Sequence, residues 1–370
     1  MNAPARIHLH ALEPGYLRVI QAGFEWVNLG AKLKWGDTVF VKPNLTYPTF
    51  RRGVMTNPDC VEAVVIALKD YTNRIIVGEA DSGGYNPFSI DEVFAKTGID
   101  QLEKKYDVRV CNLSRLPYRT IDFSYKRRQL TVPLPVLLLD ETDLMVTLPV
   151  PKIHMNTRVS MAVKNQWGCI PEPSMRLKLH PFFEKVVYEV NKHLRVNFAV
   201  VDGQYGLNRS GPMRGEVELL GWVMVANNIY AADVACCHLM QVHPRSVYYL
   251  RYLETEEHEL PDIASLEFNQ DWRPFVRAKF YLRRDWTDYP GLWAFRSPLL
   301  SYLAYYSPLA EILHKLLYFF REPFYDYAAM KEDLQKHALK EEHKASPESV
   351  PSGPSLSQEE TESSLSHEKR

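Results

Sequence analysis

The amino-acid sequence predicts an α/β fold, with a mostly parallel sheet, helices on both faces of the sheet and a C-terminal helical extension. Short apolar runs alternate with amphipathic segments from residue 38 to residue 240, which is typical of such a sheet. Unusual polar residues directly follow the apolar runs, where parallel sheets bind their ligands. With 370 residues, of which 46% are hydrophobic, the chain is long and apolar enough for a substantial core.

The elements follow one another in a regular order. Pro58 suits the first position of a helix, because its missing N–H would have no helical partner there. Residues 119–134 are polar and predict a hairpin inserted into the domain. We predict strands at residues 38–42, 74–81, 108–113, 143–150, 196–203 and 222–227, and helices at residues 16–28, 57–71, 90–96, 155–165, 181–194 and 229–240.

Composition divides the chain into three parts. Residues 1–280 carry the α/β pattern and are predicted to form one domain. Residues 281–330 are rich in aromatic residues and predict a helical extension. Residues 331–370 are polar and rich in proline, serine and glutamate, which predicts a disordered tail.

The stretch 291–320 allows two interpretations. It is very apolar, but Arg296, Pro298, Pro308 and Glu311 interrupt it, which argues against a membrane-spanning helix. It either packs on the domain as a helix pair, or it docks on a protein partner or a membrane surface.

Charge and cysteine content exclude several classes of protein. Lysine and arginine total 44 against 45 acidic residues, so no nucleic-acid partner is expected, and affinity for an anion requires a local concentration of charge. The five cysteines form no CxxC pair, which favours buried free thiols in a reducing compartment. The first residues show no secretory signal, so we expect a cytoplasmic protein, with peripheral membrane attachment open through residues 291–320.

The segment 152–180 is the strongest candidate for a functional site. It contains cationic or titratable side chains interleaved with apolar residues, namely Lys152, His154, Lys164, Arg176 and His180. A solvated charge patch is the alternative, but a patch would have more exposed lysines and fewer embedded apolar residues. We therefore predict one wall of a pocket that receives an anion.

Other strand ends supply further candidates. Lys42 and Asn44 flank a proline after the first predicted strand, and residues 79–84 form an acidic, glycine-rich connection that also suits an ordinary turn. Asp202 follows a buried strand and leads into a glycine-containing loop that ends at Gly215. These glycines lack the Rossmann and P-loop spacing, which argues against the usual modes of NAD or ATP binding.

Several motifs occur together in one order: KPNL, VGEADS, KIHMNTRVSMAVKNQWGCIP, VDGQYGLNRSGPMRG and AADVAC. In this combination residues 39–242 resemble the domain of unknown function 362 family. The resemblance implies an α/β protein in which the motif residues lie together, Asp233 among them. Many members carry an appended ferredoxin module, and the cysteine cluster of that module is absent from this sequence. The resemblance implies no particular reaction.

The motifs favour an enzyme that acts on a small carboxylate or phosphate metabolite, with an unknown cofactor. We predict catalytic roles for Lys164, His154, His180, Lys152 and Asp202, and substrate-binding roles for Lys42, Asn44, Asn165, Gly168, Arg176, Gly211 and Gly215. One alternative is a ligand-binding or iron–sulfur redox accessory protein, for which Cys169 is a possible metal ligand. The other alternative is a membrane-surface assembly factor.

Overall fold

The computed structural model describes residues 4–82, 88–257 and 260–320. The predicted tail 331–370, residues 321–330 of the extension and the glycines at 83 and 84 lie outside the described residues. The strands are β1 Arg6–Ala11, β2 Thr38–Pro43, β3 Arg74–Glu79, β4 Arg109–Asn112, β5 Tyr118–Tyr125, β6 Arg128–Pro135, β7 Leu144–Leu148, β8 Lys152–His154, β9 Arg158–Ser160, β10 Val196–Asn208, β11 Glu216–Ala226 and β12 Glu267–Phe268. The helices are α1 Tyr16–Trp26, α2 Pro58–Leu68, α3 Ile90–Thr97, α4 Leu102–Tyr106, α5 Val136–Asp140, α6 Ala162–Asn165, α7 Pro173–Leu179, α8 Phe183–Leu194, α9 Ile229–Leu239, α10 Tyr248–Glu257, α11 Tyr289–Arg296, α12 Pro298–Tyr305 and α13 Ala310–Phe320.

The predicted α/β class with a mostly parallel sheet is confirmed. Along the main sheet the strands run β12-β1-β11-β10-β7-β2-β3-β4. The pairs from β10 through β7, β2 and β3 to β4 are parallel, whereas β11 is antiparallel to both β10 and β1. Every residue of β2 and β7 is buried, as expected of central strands that helices cover on both faces.

Alternate residues of β11 pack on opposite sides of the sheet. Val225 faces α1, where a Cβ on Gly23 would lie 2.4 Å from the Val225 Cγ2 atom, so this glycine lets the helix approach closely. Met224 and Ala226 belong to the core cluster on the other face, together with Val234 of α9. Two helical layers therefore cover the sheet.

Two local predictions have different outcomes. The predicted hairpin is confirmed, because β5 and β6 pair antiparallel in a separate two-stranded sheet. The predicted helix at residues 155–165 is wrong: Arg158–Ser160 pairs antiparallel with Lys152–His154, and α6 begins at Ala162. The β-branched Val159 suits this strand, and pairing with β8 prevails over the helical periodicity.

The described part of the extension packs on the domain along one side. Leu292, Ala294 and Ala310 are buried, whereas many large apolar side chains of α11 to α13 stay exposed. Among the described residues no helix is long and apolar enough to cross a membrane. The predicted boundaries at residues 280 and 330 stay predictions.

Candidate functional site

Cationic side chains converge at the carboxyl ends of the central strands. Lys42 lies at the end of β2, and Lys152 and His154 lie on β8, which follows β7 and pairs with β10. All three side chains are buried. Burial, followed by the charges of Lys164 and Lys42, lowers the pKa of Lys152 well below its ordinary value. The segment 152–180 therefore lies close to the end of β2, so that Lys42 and Lys152 influence each other.

A buried carboxylate balances one of these cations. Glu79, at the end of β3, accepts a hydrogen bond from the Lys42 amine, and neither side chain is exposed beyond 3%. The backbone N–H of Ala80 also donates to Glu79, over 3.0 Å. Glu79 is absent from the site residues that the sequence predicts. An acidic residue at the end of a strand parallel to that of Lys42 is nevertheless a signal that the sequence contains.

Gly168 lies directly over this ion pair. A Cβ at this position would stand 2.5 Å from Glu79 Oε1 and 2.9 Å from Lys42 Nζ. Such distances are far shorter than a normal non-bonded contact, so a larger residue must displace the ion pair. Glycine here leaves space over the two charges.

Lys152 and Asn44 hold the loop that follows β2. The amine of Lys152 donates to the carbonyl of Val54 over 2.8 Å, and the Asn44 side-chain amide donates to the same oxygen over 3.1 Å. The Thr46 hydroxyl lies 3.5 Å from the Lys152 amine. Both residues predicted for the site thus fix loop 44–56 against the strand ends.

Lys164 differs from the other cations in having no polar partner. Its half-buried amine lies 5.7 Å from the centre of the Phe183 ring, and it makes no hydrogen bond or ion pair within the described chain. Burial, followed by the charges of Arg176 and Lys42, lowers the pKa of Lys164 to about 7. The amine is therefore partly neutral at physiological pH.

A buried carboxylate positions the short helix that carries Lys164. Asp233 of α9 accepts hydrogen bonds from the N–H of Ala162 over 2.7 Å and from the Tyr249 hydroxyl over 2.8 Å. Burial raises the pKa of Asp233 to about 7. At the other end of α6, the Asn165 amide donates to the carbonyl of Lys42 over 3.0 Å. These bonds fix the first turn and the last residue of α6.

The two histidines of the site carry their protons on opposite ring nitrogens. His154 Nδ1 accepts from the N–H of Asn156 over 3.1 Å, so the proton of the neutral ring lies on Nε2. His180 Nδ1 lies 2.7 Å from the carbonyl of Arg176 and donates to it, which leaves a lone pair on Nε2. Burial and the charge of Lys164 lower both pKa values, that of His180 to about 3. One ring can donate and the other can accept.

Arg176 and Cys169 are buried parts of the surrounding loops. The guanidinium of Arg176 donates to the carbonyl of Ile170 over 3.0 Å and to the carbonyl of Asp81. Burial raises the pKa of the Cys169 thiol to about 12, which opposes the thiolate form that metals bind. No group of three or more potential metal ligands occurs in the described ranges.

The structure places Asp202 in a separate hydrogen-bond network. Its carboxylate accepts from the Tyr16 hydroxyl and from the N–H of Asn57, each over 2.7 Å, and burial raises its pKa. Gly211 and Gly215 pack the following loop, since a Cβ would lie 1.9 Å from the Ile153 carbonyl at the first and 2.2 Å from the Asn208 carbonyl at the second. Asp202 thus links β10 to α1 and to the residue before α2, whereas the two glycines allow close packing against β8 and β10. The roles predicted for these three residues stay predictions.

The fold is that of an α/β protein with a cationic cluster at its strand ends. Residues 39–238 match the family described as a domain of unknown function, DUF362, so the chain belongs to this family and the resemblance is confirmed. It is also 24% identical over 227 residues to a thylakoid-associated protein of Synechocystis sp., a match that covers 59% of this chain and 68% of the relative.

Two solved structures are similar at a TM-score of 0.40. One is a Thermotoga maritima protein, 16% identical, with 63% of this chain and 61% of that chain covered. The other is the lactate racemase apoprotein of Thermoanaerobacterium thermosaccharolyticum, 14% identical, with 64% of this chain and 57% of that chain covered. The chain thus spans less than two thirds of either solved protein.

Proposed function

We propose that the protein is an enzyme that transfers a proton to or from a small carboxylate or phosphate metabolite at the strand-end cluster. The proposal rests on the environment and the lowered pKa of Lys164. Its half-buried amine has a pKa of about 7 and no polar partner within the described chain. Structural lysines are normally paired or solvated, whereas a lysine in this state suits a general base or a nucleophile.

The neighbouring groups suit the binding of an anion. Arg176 contributes positive charge near Lys164, since its guanidinium donates to backbone carbonyls. His154 can donate its Nε2 proton to an oxygen of the substrate. In the proposed step a substrate proton moves to the Lys164 amine, and His154 stabilises the negative charge that develops on the substrate. Lys152 is a weaker candidate for the base, because its amine already donates to the Val54 carbonyl.

Site-resolved labelling with an amine-reactive ester, read by mass spectrometry across pH, tests this proposal. We expect the labelling of Lys164 to rise with a midpoint near pH 7. Inorganic phosphate or acetate is expected to protect it, because an anion in the cluster stabilises the ammonium form. Exposed Lys178 is the control. A midpoint near pH 10 without protection by either anion would exclude Lys164 as the base.

Activity provides the second test. Lys164→Met is expected to abolish turnover of any substrate found in a metabolite screen, while Lys178→Met retains it. Full activity of Lys164→Met would show that Lys164 is not the catalytic base. Stoichiometric iron in the purified protein would instead favour the role of a redox accessory protein.

A membrane-surface role is a second candidate, and the exposed apolar residues of the extension favour it. Residues 286–320 expose large apolar side chains, among them Trp286 at 65%, Trp293 at 60% and Phe319 at 83%. The exposed cations Arg296 and Lys315 lie among them, which suits an interface with anionic lipid. The relative named for its association with thylakoids is consistent with this role.

Flotation with phosphatidylglycerol-containing vesicles tests the membrane role. We expect the protein to float with these vesicles, and Trp293→Ala combined with Phe319→Ala to reduce the floated fraction severalfold. Trp35→Ala is the matched control, since Trp35 is 70% exposed but lies outside the extension. Absence of the wild-type protein from the vesicle fraction would remove this candidate.

A further inference from the structure

Arg51 is a buried arginine whose guanidinium group has no polar partner in the part of the chain that the structure describes. Its side chain is 8% exposed, and Nη1 is fully buried without a hydrogen bond. Across the described residues its side chain makes no hydrogen bond or ion pair, and its contact is with the ring of Tyr47, 5.3 Å from the guanidinium carbon to the ring centre. Arginine keeps its charge inside proteins, and buried charges are normally paired.

The contact with Tyr47 does not account for the hydrogen-bonding groups of Arg51. Stacking uses the face of the guanidinium plane, whereas its five N–H groups point outwards within that plane. The Thr49 hydroxyl, two residues earlier, is also buried without a hydrogen-bond partner. Two residues of one loop thus have buried donors for which the described ranges provide no acceptor.

Loop 44–56 holds these donors in a fixed place beside the cationic cluster. The carbonyl of Val54 receives the Lys152 amine, and the carbonyl of Arg51 accepts the N–H of Val54 over 3.1 Å. Gly53 lies against β10, where a Cβ would stand 2.6 Å from the carbonyl of Gly206. The loop is therefore fixed between β10 and the strand ends, where the Nη1 atom of Arg51 is shielded from bulk water.

We propose that Arg51 and the Thr49 hydroxyl form an anion-binding position on loop 44–56, in addition to the cationic cluster. Its ligand is a carboxylate or phosphate group, whose oxygens match the planar array of N–H donors and accept the hydroxyl proton. The position goes beyond the proposed function, because it requires no catalytic role for Lys164. It explains why an arginine is buried where the described protein offers it no carboxylate.

Calorimetric titration of the full-length protein with inorganic phosphate tests the position. Arg51→Met is expected to weaken phosphate binding at one position by about tenfold or more, the scale of a lost charge-assisted hydrogen bond. Arg18→Met removes one exposed arginine from α1 and is expected to bind as the wild type does. Unchanged affinity in Arg51→Met would overturn the proposal.

Thermal unfolding separates this position from a purely structural role. Without phosphate, Arg51→Met is expected to have a melting temperature equal to or above that of the wild type, because an unpaired buried charge is removed. A lower melting temperature of Arg51→Met, together with an equal increase of both melting temperatures by phosphate, would overturn the proposal. That result would indicate that Arg51 has only a structural role, stacked on Tyr47. Lys164→Met is expected to retain phosphate binding at Arg51. The two proposals can fail separately. If Lys164 is labelled as expected but Arg51→Met binds phosphate as the wild type does, the proposed function is retained and the anion-binding position at Arg51 is rejected.

Discussion

The imidazole ring of His180 stacks on the phenyl ring of Phe295, with ring centroids 4.2 Å apart and 20° between the planes. Phe295 belongs to α11, so the extension forms part of the wall around the candidate site. A second contact joins the same regions, since the Ser301 hydroxyl donates to the carbonyl of Leu177 over 3.1 Å. A protein or membrane surface that displaced α11 would therefore change the surroundings of His180.

Removal of this ring is expected to change the titration of His180. In Phe295→Ala water reaches the imidazole, so its pKa is expected to rise from about 3 toward the ordinary value. The lost packing is expected to reduce the free energy of unfolding by about 1–3 kcal/mol. Histidine resonances followed by NMR across pH, together with urea unfolding, measure both effects. Trp293→Ala, on the exposed side of α11, is expected to leave the His180 pKa unchanged.

Loss of the carboxylate at Glu79 is expected to destabilise the site strongly. Glu79→Gln leaves the Lys42 ammonium buried beside a neutral amide, at an expected cost of about 3–5 kcal/mol in the free energy of unfolding. The double variant Lys42→Met, Glu79→Gln is expected to recover much of this loss. Denaturant unfolding of the wild type, Glu79→Gln, Lys42→Met and the double variant completes the cycle. Strictly additive effects on the free energy of unfolding would show that the two groups are not coupled.

A single methyl group at residue 168 is expected to disturb the same ion pair. Gly168→Ala places its Cβ against both charged groups, so we expect a loss of about 1–3 kcal/mol in stability and weaker phosphate binding. Gly291→Ala is the control, because a Cβ there meets no atom within 4 Å and α11 favours alanine. Equal stability of Gly168→Ala and the wild type would contradict the close approach.

The low pKa of Lys164 predicts a stability that rises with pH. The folded protein releases this proton near pH 7 and the unfolded chain near pH 10.5, so the unfolded state binds more protons between these values. The free energy of unfolding is therefore expected to increase from pH 7 to pH 10. Lys164→Met is expected to be more stable than the wild type at pH 7, by about 1–3 kcal/mol after allowance for partial solvent access, with a difference that shrinks as pH rises. Unfolding at several pH values, with Lys178→Met as control, measures this dependence.

The sequence predicts the fold and one side of the site better than the contacts that complete it. Strand and helix periodicity is local, so the parallel α/β arrangement and the cations between Lys152 and His180 are accessible from the sequence. The hydrogen bonds of Asp233 with Ala162 and Tyr249 join segments that are distant in the sequence, so no local sequence pattern predicts them. Glu79 resembles an ordinary turn residue until the parallel pairing of β2 and β3 brings it to Lys42.

The contact between Asp233 and α6 also bears on the order of events during synthesis. The Ala162 N–H and the Asp233 carboxylate are separated by 71 residues, so a growing chain that has just completed α6 lacks the group that fixes it. Lys164 would leave the ribosome before its helix can be anchored. We therefore expect the site to assemble late in translation, and a fragment that ends before residue 233 to lack the anchored Lys164.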